Sequence, residues 1–306
     1  MMKIITLFTG GTICSSDDGS GILSPDESKK ARIIELYKKS HPAVDVDFVC
    51  KSPFFILSEN IGAEHFNALN RAVSDALDEA ALNGEVAGII VLHGTDTLQY
   101  SVASVGLCHR ESQVPVVFVA TNYIIEDPRS NALDNMSKAV DFISKAGDKG
   151  IRGCYAAFDG RCIPSLSMLP HLPYDNRAFE LSGTDRQTVA RIEETGIKLP
   201  NRDTRLISPC PVLFIKPLPG QLLPVIPAHV SAVLLDTYHS GTVNTADGQL
   251  EELCDRAKRA GVKVYVLSRL KETHYESENL IKQLDVCSLP GLSPVAAYML
   301  LWYMYS

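Results

Sequence analysis

Short apolar, β-branched runs alternate along the chain with longer stretches in which apolar residues recur at helical spacing. The runs Ile4–Phe8, Val44–Val49, Ala87–Leu92, Val114–Ala120 and Cys154–Phe158 read as strands. Between them, helices are predicted near Glu27–Ser40, over Ala63–Leu82, from about Leu98 to Arg110 and from about Ala132 to Lys145. Such a βαβα rhythm demands an α/β fold, a mostly parallel sheet flanked by helices. Ligands collect beyond the carboxyl ends of the strands in sheets of this kind. The loops after Phe8, Leu92 and Ala120 are therefore where chemistry is sought.

From Phe179 to Pro211 the pattern loosens into polar and charged residues, including Ser182-Gly183-Thr184-Asp185 and Pro200-Asn201-Arg202-Asp203, and a linker is placed there. The rhythm then restarts with strands at Val212–Ile215, Ala232–Leu235 and Val262–Leu267. Helices are predicted near Gln249–Ala260, Ser277–Leu284 and Ser293–Tyr303. The expected organisation is a larger N-terminal α/β domain over 1–185, a linker over 186–211 and a smaller C-terminal α/β domain over 212–306. A chain of 306 residues suits two domains of unequal size.

Composition narrows the function classes. Hydrophobic residues make up 45% and charged residues 21%, and no apolar segment is long enough to span a bilayer. The net charge of −7 and the lack of a Lys/Arg run argue against a nucleic-acid partner and towards a small-molecule one. The start, MMKIITLFTGG, has too short an apolar run for a signal peptide, so a cytoplasmic location is expected. Eight scattered cysteines without a CxxC pair read as reduced packing residues; Cys14, after a glycine turn and with no histidine beside it, is read the same way. Histidines and cysteines never cluster at ligand spacing, so no metal and no other cofactor is expected.

Two motifs carry candidate chemistry. The first strand ends in Phe8-Thr9-Gly10-Gly11-Thr12-Ile13, where paired glycines let the backbone turn sharply, approach a ligand and turn N–H groups towards negative charge. The bland alternative is a plain turn; a phosphate loop is weakened by the absence of GxGxxG and GxxxxGKS. The second is His93-Gly94-Thr95-Asp96-Thr97, again directly after an apolar strand. Its bland reading is a helix cap, with Asp96 or Thr97 capping the helix that begins near Leu98.

Taken together, TGGTI and HGTDT resemble the asparaginase family. Leu57-Ser58-Glu59-Asn60 resembles the family's substrate-binding serine segment, Phe158-Asp159-Gly160 with Ala178-Phe179 resembles the end of its large domain, and Leu292-Ser293-Pro294-Val295-Ala296-Ala297 its terminal helix. The resemblance implies two-step hydrolysis of a carboxamide. Thr9 would be the nucleophile, Thr95 the second threonine, Asp96 the group that holds a substrate α-amino group and Ser58 the one that holds its α-carboxylate. It extends the substrate-binding set to Gly10, Ser58, Glu59, Gly94, Thr95, Asp96 and Thr121, and implies a homodimer or homotetramer.

The chain also departs from that pattern. A lysine that partners the family's second threonine falls, counting back from Phe179, on Pro170, which has no side-chain base. The stretch Cys14–Asp26 has no tyrosine beside the nucleophile, and Arg129-Ser130-Asn131-Ala132 has Asn131 where the family usually writes aspartate. An aliphatic hydroxyl needs a base or a proton relay. His171, next to Pro170, and His93 are the candidates, His93 with a loop-bracing role as its alternative. Lys138, Lys145 and Lys149 read as solvated surface charges. The favoured reading is hydrolysis of L-asparagine or a related small amide; the alternative is a catalytically impaired homologue that binds an amino acid or amide as a regulatory protein. A component of a tRNA-dependent amidotransferase is disfavoured because the chain starts directly with its first strand.

Overall fold

The computed structural model describes residues 1–172, 177–182, 192–194, 196–268 and 275–306. The Gly183-Thr184-Asp185 stretch and part of the expected linker, 186–191 and 195, lie outside the described residues.

Six strands form the larger sheet, in the order β4 (Val46–Lys51), β1 (Met2–Phe8), β5 (Val86–Leu92), β6 (Pro115–Val119), β7 (Gly153–Phe158) and β8 (Arg161–Pro164). All neighbours run parallel except β8, which is antiparallel to β7. Between β1 and β4 lie a short hairpin, β2 (Ser15–Asp17) and β3 (Leu23–Pro25), and helix α1 (Ser28–Ser40). The other helices of this unit are α2 (Ala63–Asn83), α3 (Leu98–Cys108) and α4 (Ala132–Lys149). Alternation along the strands divides the core into two layers. Ile5, Leu7, Ile89, Val91, Val116 and Phe118 pack with Leu69 and Val73 of α2 and Val102 and Val105 of α3. Ile4, Phe8, Ile90, Leu92, Val117 and Val119 face the other way, against Ile33 of α1 and Met136, Val140 and Ile143 of α4. Each such side chain, fully buried, contributes about 1.5–3 kcal/mol.

A second sheet, all parallel, has the order β12 (Cys287–Pro290), β11 (Lys263–Ser268), β10 (Ala232–Leu235), β9 (Val212–Ile215). One face carries α5 (Gln249–Ala260) and, through Ile281, α6 (Glu276–Gln283). The other face packs on α7 (Pro294–Met304), which in turn rests against Ala103 and Leu107 of α3. Helix α7 starts cleanly because Ser293 Oγ accepts the Ala296 N–H and Pro294 fixes the first turn. The apolar run Ala296–Tyr303 is thus core within this chain.

Three elements are additional to the sequence reading: the β2–β3 hairpin, β8 and β12. Strand β8 follows the turn Asp159-Gly160, in which φ is 49° and 68°. That is the two-residue turn with both residues left-handed that Asp-Gly favours in hairpins. Helix α3 stops at Cys108 rather than Arg110, where the His109 N–H closes the last turn on Val105 O. Helix α4 continues to Lys149, ended by Gly150 in the left-handed conformation.

Candidate active site

Strand β1 delivers Thr9 to the carboxyl edge of the larger sheet, between β4 and β5. There the backbone, rather than side chains, joins the loops. Thr9 N–H donates to Leu92 O (3.1 Å), Ile56 N–H to Thr9 O (3.1 Å), Gly11 N–H to Ile56 O (2.8 Å) and His93 N–H to Val119 O (2.9 Å). Glycine is required at the crossings. A Cβ on Gly10 would collide with the Ile56 carbonyl, one on Gly11 with the Gly94 backbone and one on Gly94 with the Ser58 side chain; Gly10 and Gly11 also have φ of 99° and 73°.

This clasp brings together most of the residues singled out in the sequence. Thr9 is buried and its Oγ1 donates to Leu92 O at 2.9 Å. Thr95, half-buried, donates to Thr121 O at 2.7 Å. Thr121 is itself buried, its Oγ1 within 2.9 Å of both Tyr123 O and Asn131 Oδ1. Ser58 is buried against Gly94, and its hydroxyl makes no hydrogen bond among the described residues. Asp96 and Glu59 are exposed, with no ion pair among the described residues. The capping reading of the second motif does not hold: neither Asp96 nor Thr97 caps α3 with its side chain, and Thr97 Oγ1 instead donates to Ser58 O at 3.0 Å. Released from capping, the Asp96 carboxylate is available to a ligand. No described residue accepts the backbone N–H groups of Thr95 and Asp96, which sit where the dipole of α3 favours negative charge.

His93 is committed elsewhere. Its Nδ1 lies 2.7 Å from Gly94 O and its Nε2 2.8 Å from Ser101 Oγ. A carbonyl only accepts, so Nδ1 carries the proton and Nε2 accepts from the serine. Burial lowers its pKa to about 4, which keeps the ring neutral. His93 therefore braces the loop, and neither threonine is hydrogen-bonded to it. His171 is half-buried, with Nδ1 3.4 Å from the buried Gln99 amide nitrogen, which also reaches Asp96 O at 3.3 Å. Pro170 is exposed. Both threonine protons rest on backbone carbonyls, and no side-chain base among the described residues touches either oxygen. Asn131, by contrast, loses little relative to aspartate, because its Oδ1 only has to accept, from Asn122 N–H at 3.1 Å and from Thr121 Oγ1.

Cys14 is buried, with its thiol pushed up to about 12 chiefly by desolvation, in keeping with a packing role. The sequence reading missed Ile56, Ser101 and Gln99. Helix α3 is buried on nearly every side, and a serine and a glutamine within such a helix signal polar partners.

The fold thus sets a threonine at the end of β1, a second threonine and an aspartate after β5, and a glycine clasp between them on one edge of a mostly parallel sheet. The asparaginase N-terminal family model matches residues 3–203, and the chain belongs to the asparaginase family. Among curated proteins, it is 30% identical over 185 residues to a component of the glutamyl-tRNA(Gln) amidotransferase of Thermoplasma acidophilum, covering 59% of this chain and 43% of that one. It is also 30% identical over 160 residues to the L-asparaginase of Thermococcus kodakarensis, covering 51% and 44%. The matched stretch thus spans less than half the length of these curated relatives. Among solved structures, the fold resembles the thermostable L-asparaginase from Thermococcus kodakarensis, with a TM-score of 0.72 at 20% identity over 99% of this chain and 92% of that one. It also resembles a probable cytoplasmic L-asparaginase from Campylobacter jejuni, with a TM-score of 0.72 at 17% identity over 99% and 94%. No helix among the described residues is long and apolar enough to cross a membrane.

Proposed function

We propose that the chain hydrolyses the side-chain amide of L-asparagine or a closely related small amide, through Thr9. The observation that supports this most is the clasp between Gly11 and Gly94, which sets the Thr9 and Thr95-Asp96 loops side by side at the sheet's carboxyl edge. In this reading Thr9 Oγ1 attacks the amide carbon and the carbonyl oxygen takes up negative charge near the free N–H groups of the Thr95-Asp96 turn. The C–N bond then breaks, the amide nitrogen leaves as ammonia with the proton lost by Thr9, and water cleaves the resulting ester to the acid. Ser58, with its hydroxyl unengaged, and Asp96 would hold the amino-acid end, assisted by Gly10, Glu59, Gly94 and Thr121. We place the protein in the cytoplasm, as a homo-oligomer, in two units divided near 186–211.

A second reading has its own observation. Two hydroxyls whose protons rest on carbonyls, with Pro170 in place of a base, suit a protein that binds the amide without cleaving it. Ammonia release from L-asparagine, L-glutamine and D-asparagine separates the two. Release that disappears in Thr9→Ala supports hydrolysis. No release, with a thermal shift corresponding to about 2.7 kcal/mol at a hundredfold excess over Kd, supports the binder. Release that requires a second protein and tRNA would instead point to a component of an amidotransferase.

A further inference from the structure

Beside the Thr97–Ser58 hydrogen bond lies a cleft of about 460 Å³, enclosed by residues of α2, α3, β9 and α7. At ~30 Å³ per water it would hold about fifteen waters, the size range of small-molecule pockets. Its walls are apolar, with Phe66, Tyr100, Phe214, Tyr298 and Trp302 set among aliphatic side chains, and Thr97 is the remaining polar group. The rings meet edge to face, Tyr100 with Tyr298 at 6.2 Å, Tyr298 with Trp302 at 5.8 Å and Phe66 with Trp302 at 5.8 Å. The back wall is rigid. Phe66 and Trp302 are buried in the main core, and the indole N–H is spent on Ile207 O at 2.9 Å.

The chemistry of the lining restricts the occupant. No charged side chain lines the cleft among the described residues, and burial raises both tyrosine pKa values, so the phenols stay neutral. Thr97 has given its proton to Ser58 O, and Tyr298 has given its own to Cys210 Sγ at 3.2 Å. Both oxygens are left as acceptors, while the Tyr100 O–H has no acceptor among the described residues, so a ligand facing all three must bring both a donor and an acceptor, as a carboxamide does. A carboxylate could accept only from the Tyr100 O–H, would face the Thr97 and Tyr298 acceptors with no positive charge in the lining, and so would lose most of its hydration without return. A protein face is too large: a sphere of this volume has about 290 Å² of surface, against roughly 800 Å² per partner in a stable interface.

We propose that this cleft, which Thr97 and Pro170 border on the side of the Thr95-Asp96 loop, binds a neutral aromatic molecule carrying an N–H donor, such as an aromatic carboxamide. The ligand's ring stacks among Tyr100, Tyr298 and Trp302, and its donor meets the oxygens of Thr97 and Tyr298. Because Thr97 also holds Ser58, occupancy stiffens the segment that carries the Ser58 hydroxyl.

Trp302 is the single tryptophan of the chain, so its fluorescence reads this cleft directly. Phenylacetamide titrated into the full-length protein is expected to give a saturable change, and phenylacetate at the same concentration at least about tenfold weaker binding. Ile61→Phe, which fills the cleft, abolishes the response; Phe214→Ala, on an edge strand, weakens it; Thr9→Ala keeps it whether or not the protein hydrolyses amides. Circular dichroism verifies the fold of each variant. The proposal is overturned by no saturable change with the wild type, by equal binding of phenylacetate, or by an undiminished response in Ile61→Phe. It is likewise overturned if the Trp302 signal follows protein concentration in step with a dimer on gel filtration, since a second copy then closes the cleft.

Discussion

Acidification tests the bracing role of His93 with a magnitude that follows from its surroundings. The ring is neutral because burial lowers its pKa to about 4, whereas an unfolded chain exposes an imidazole near 6.5. Below pH 6.5 the unfolded state therefore binds the proton more readily. The stabilisation is complete above that pH and is lost as the pH falls towards 4. At pH 5 the difference is worth about 2 kcal/mol, rising to about 3 kcal/mol at pH 4. Buried His109, also held at about 4, adds a similar loss. It is present in both proteins of the comparison and cancels. Urea unfolding of wild type and His93→Asn at pH 7.5 and pH 5 isolates the effect. The variant is less stable at pH 7.5, because Gly94 O and Ser101 lose their partner, but its stability falls about 2 kcal/mol less between the two pH values. An identical fall in both proteins would refute the reasoning, as would a His93 ring that titrates near 6.5 by NMR.

The glycine clasp makes a paired prediction. Gly11→Ala combines a left-handed φ with collision against Gly94 and should cost more than about 2 kcal/mol and the site with it. Gly19→Ala, also left-handed but in open space, should cost about 1–2 kcal/mol by urea unfolding and leave ligand binding intact. Asn131→Asp keeps an acceptor for Asn122 N–H and Thr121 and should change stability by under about 1 kcal/mol. Asn131→Leu removes the acceptor of the Asn122 N–H, while Thr121 Oγ1 keeps Tyr123 O, and should cost about 1–3 kcal/mol, measured the same way. In thiol labelling, exposed Cys50 should react first, and ionisation alone slows Cys14 about a thousandfold relative to an ordinary thiol; comparable rates would contradict its burial.

The larger sheet is legible in the sequence because Ile4–Phe8 and Ala87–Leu92 are continuous apolar runs, as strands buried on both faces must be. Strand β12 is not, since Cys287-Ser288-Leu289-Pro290 has neither a continuous run nor clean alternation, and its pairing with β11 is decided by tertiary packing. The hairpin strand Ser15–Asp17 is polar and short, and escapes notice for the same reason. For β8 the signal is present in Asp159-Gly160, a pair whose turn-forming character is masked by its use as a family landmark. At the site, Thr9 and Thr95 stand out through the glycine-rich turns after apolar strands, whereas Ser58 is picked out only by resemblance to the asparaginase family. The role of Thr97 does not stand out, because an N-terminal threonine reads as a cap until Ser58 O is seen within reach. His93 shows the same limit. Its sequence position suggests a base or a brace, and only the two hydrogen bonds and the burial decide for the brace.

The frame around Thr9 is written almost wholly in main-chain atoms: four backbone hydrogen bonds and three places where a side chain must be missing. Such a frame asks for little from the side chains around it. Most positions near the site are free to drift so long as the strands stay in register and the glycines remain, which accounts for an architecture shared at a TM-score of 0.72 on 20% identity. It also means that the placement of the hydroxyls can outlast the loss of any single reactive group, so that the same scaffold can pass between cleaving a ligand and merely holding it without being rebuilt.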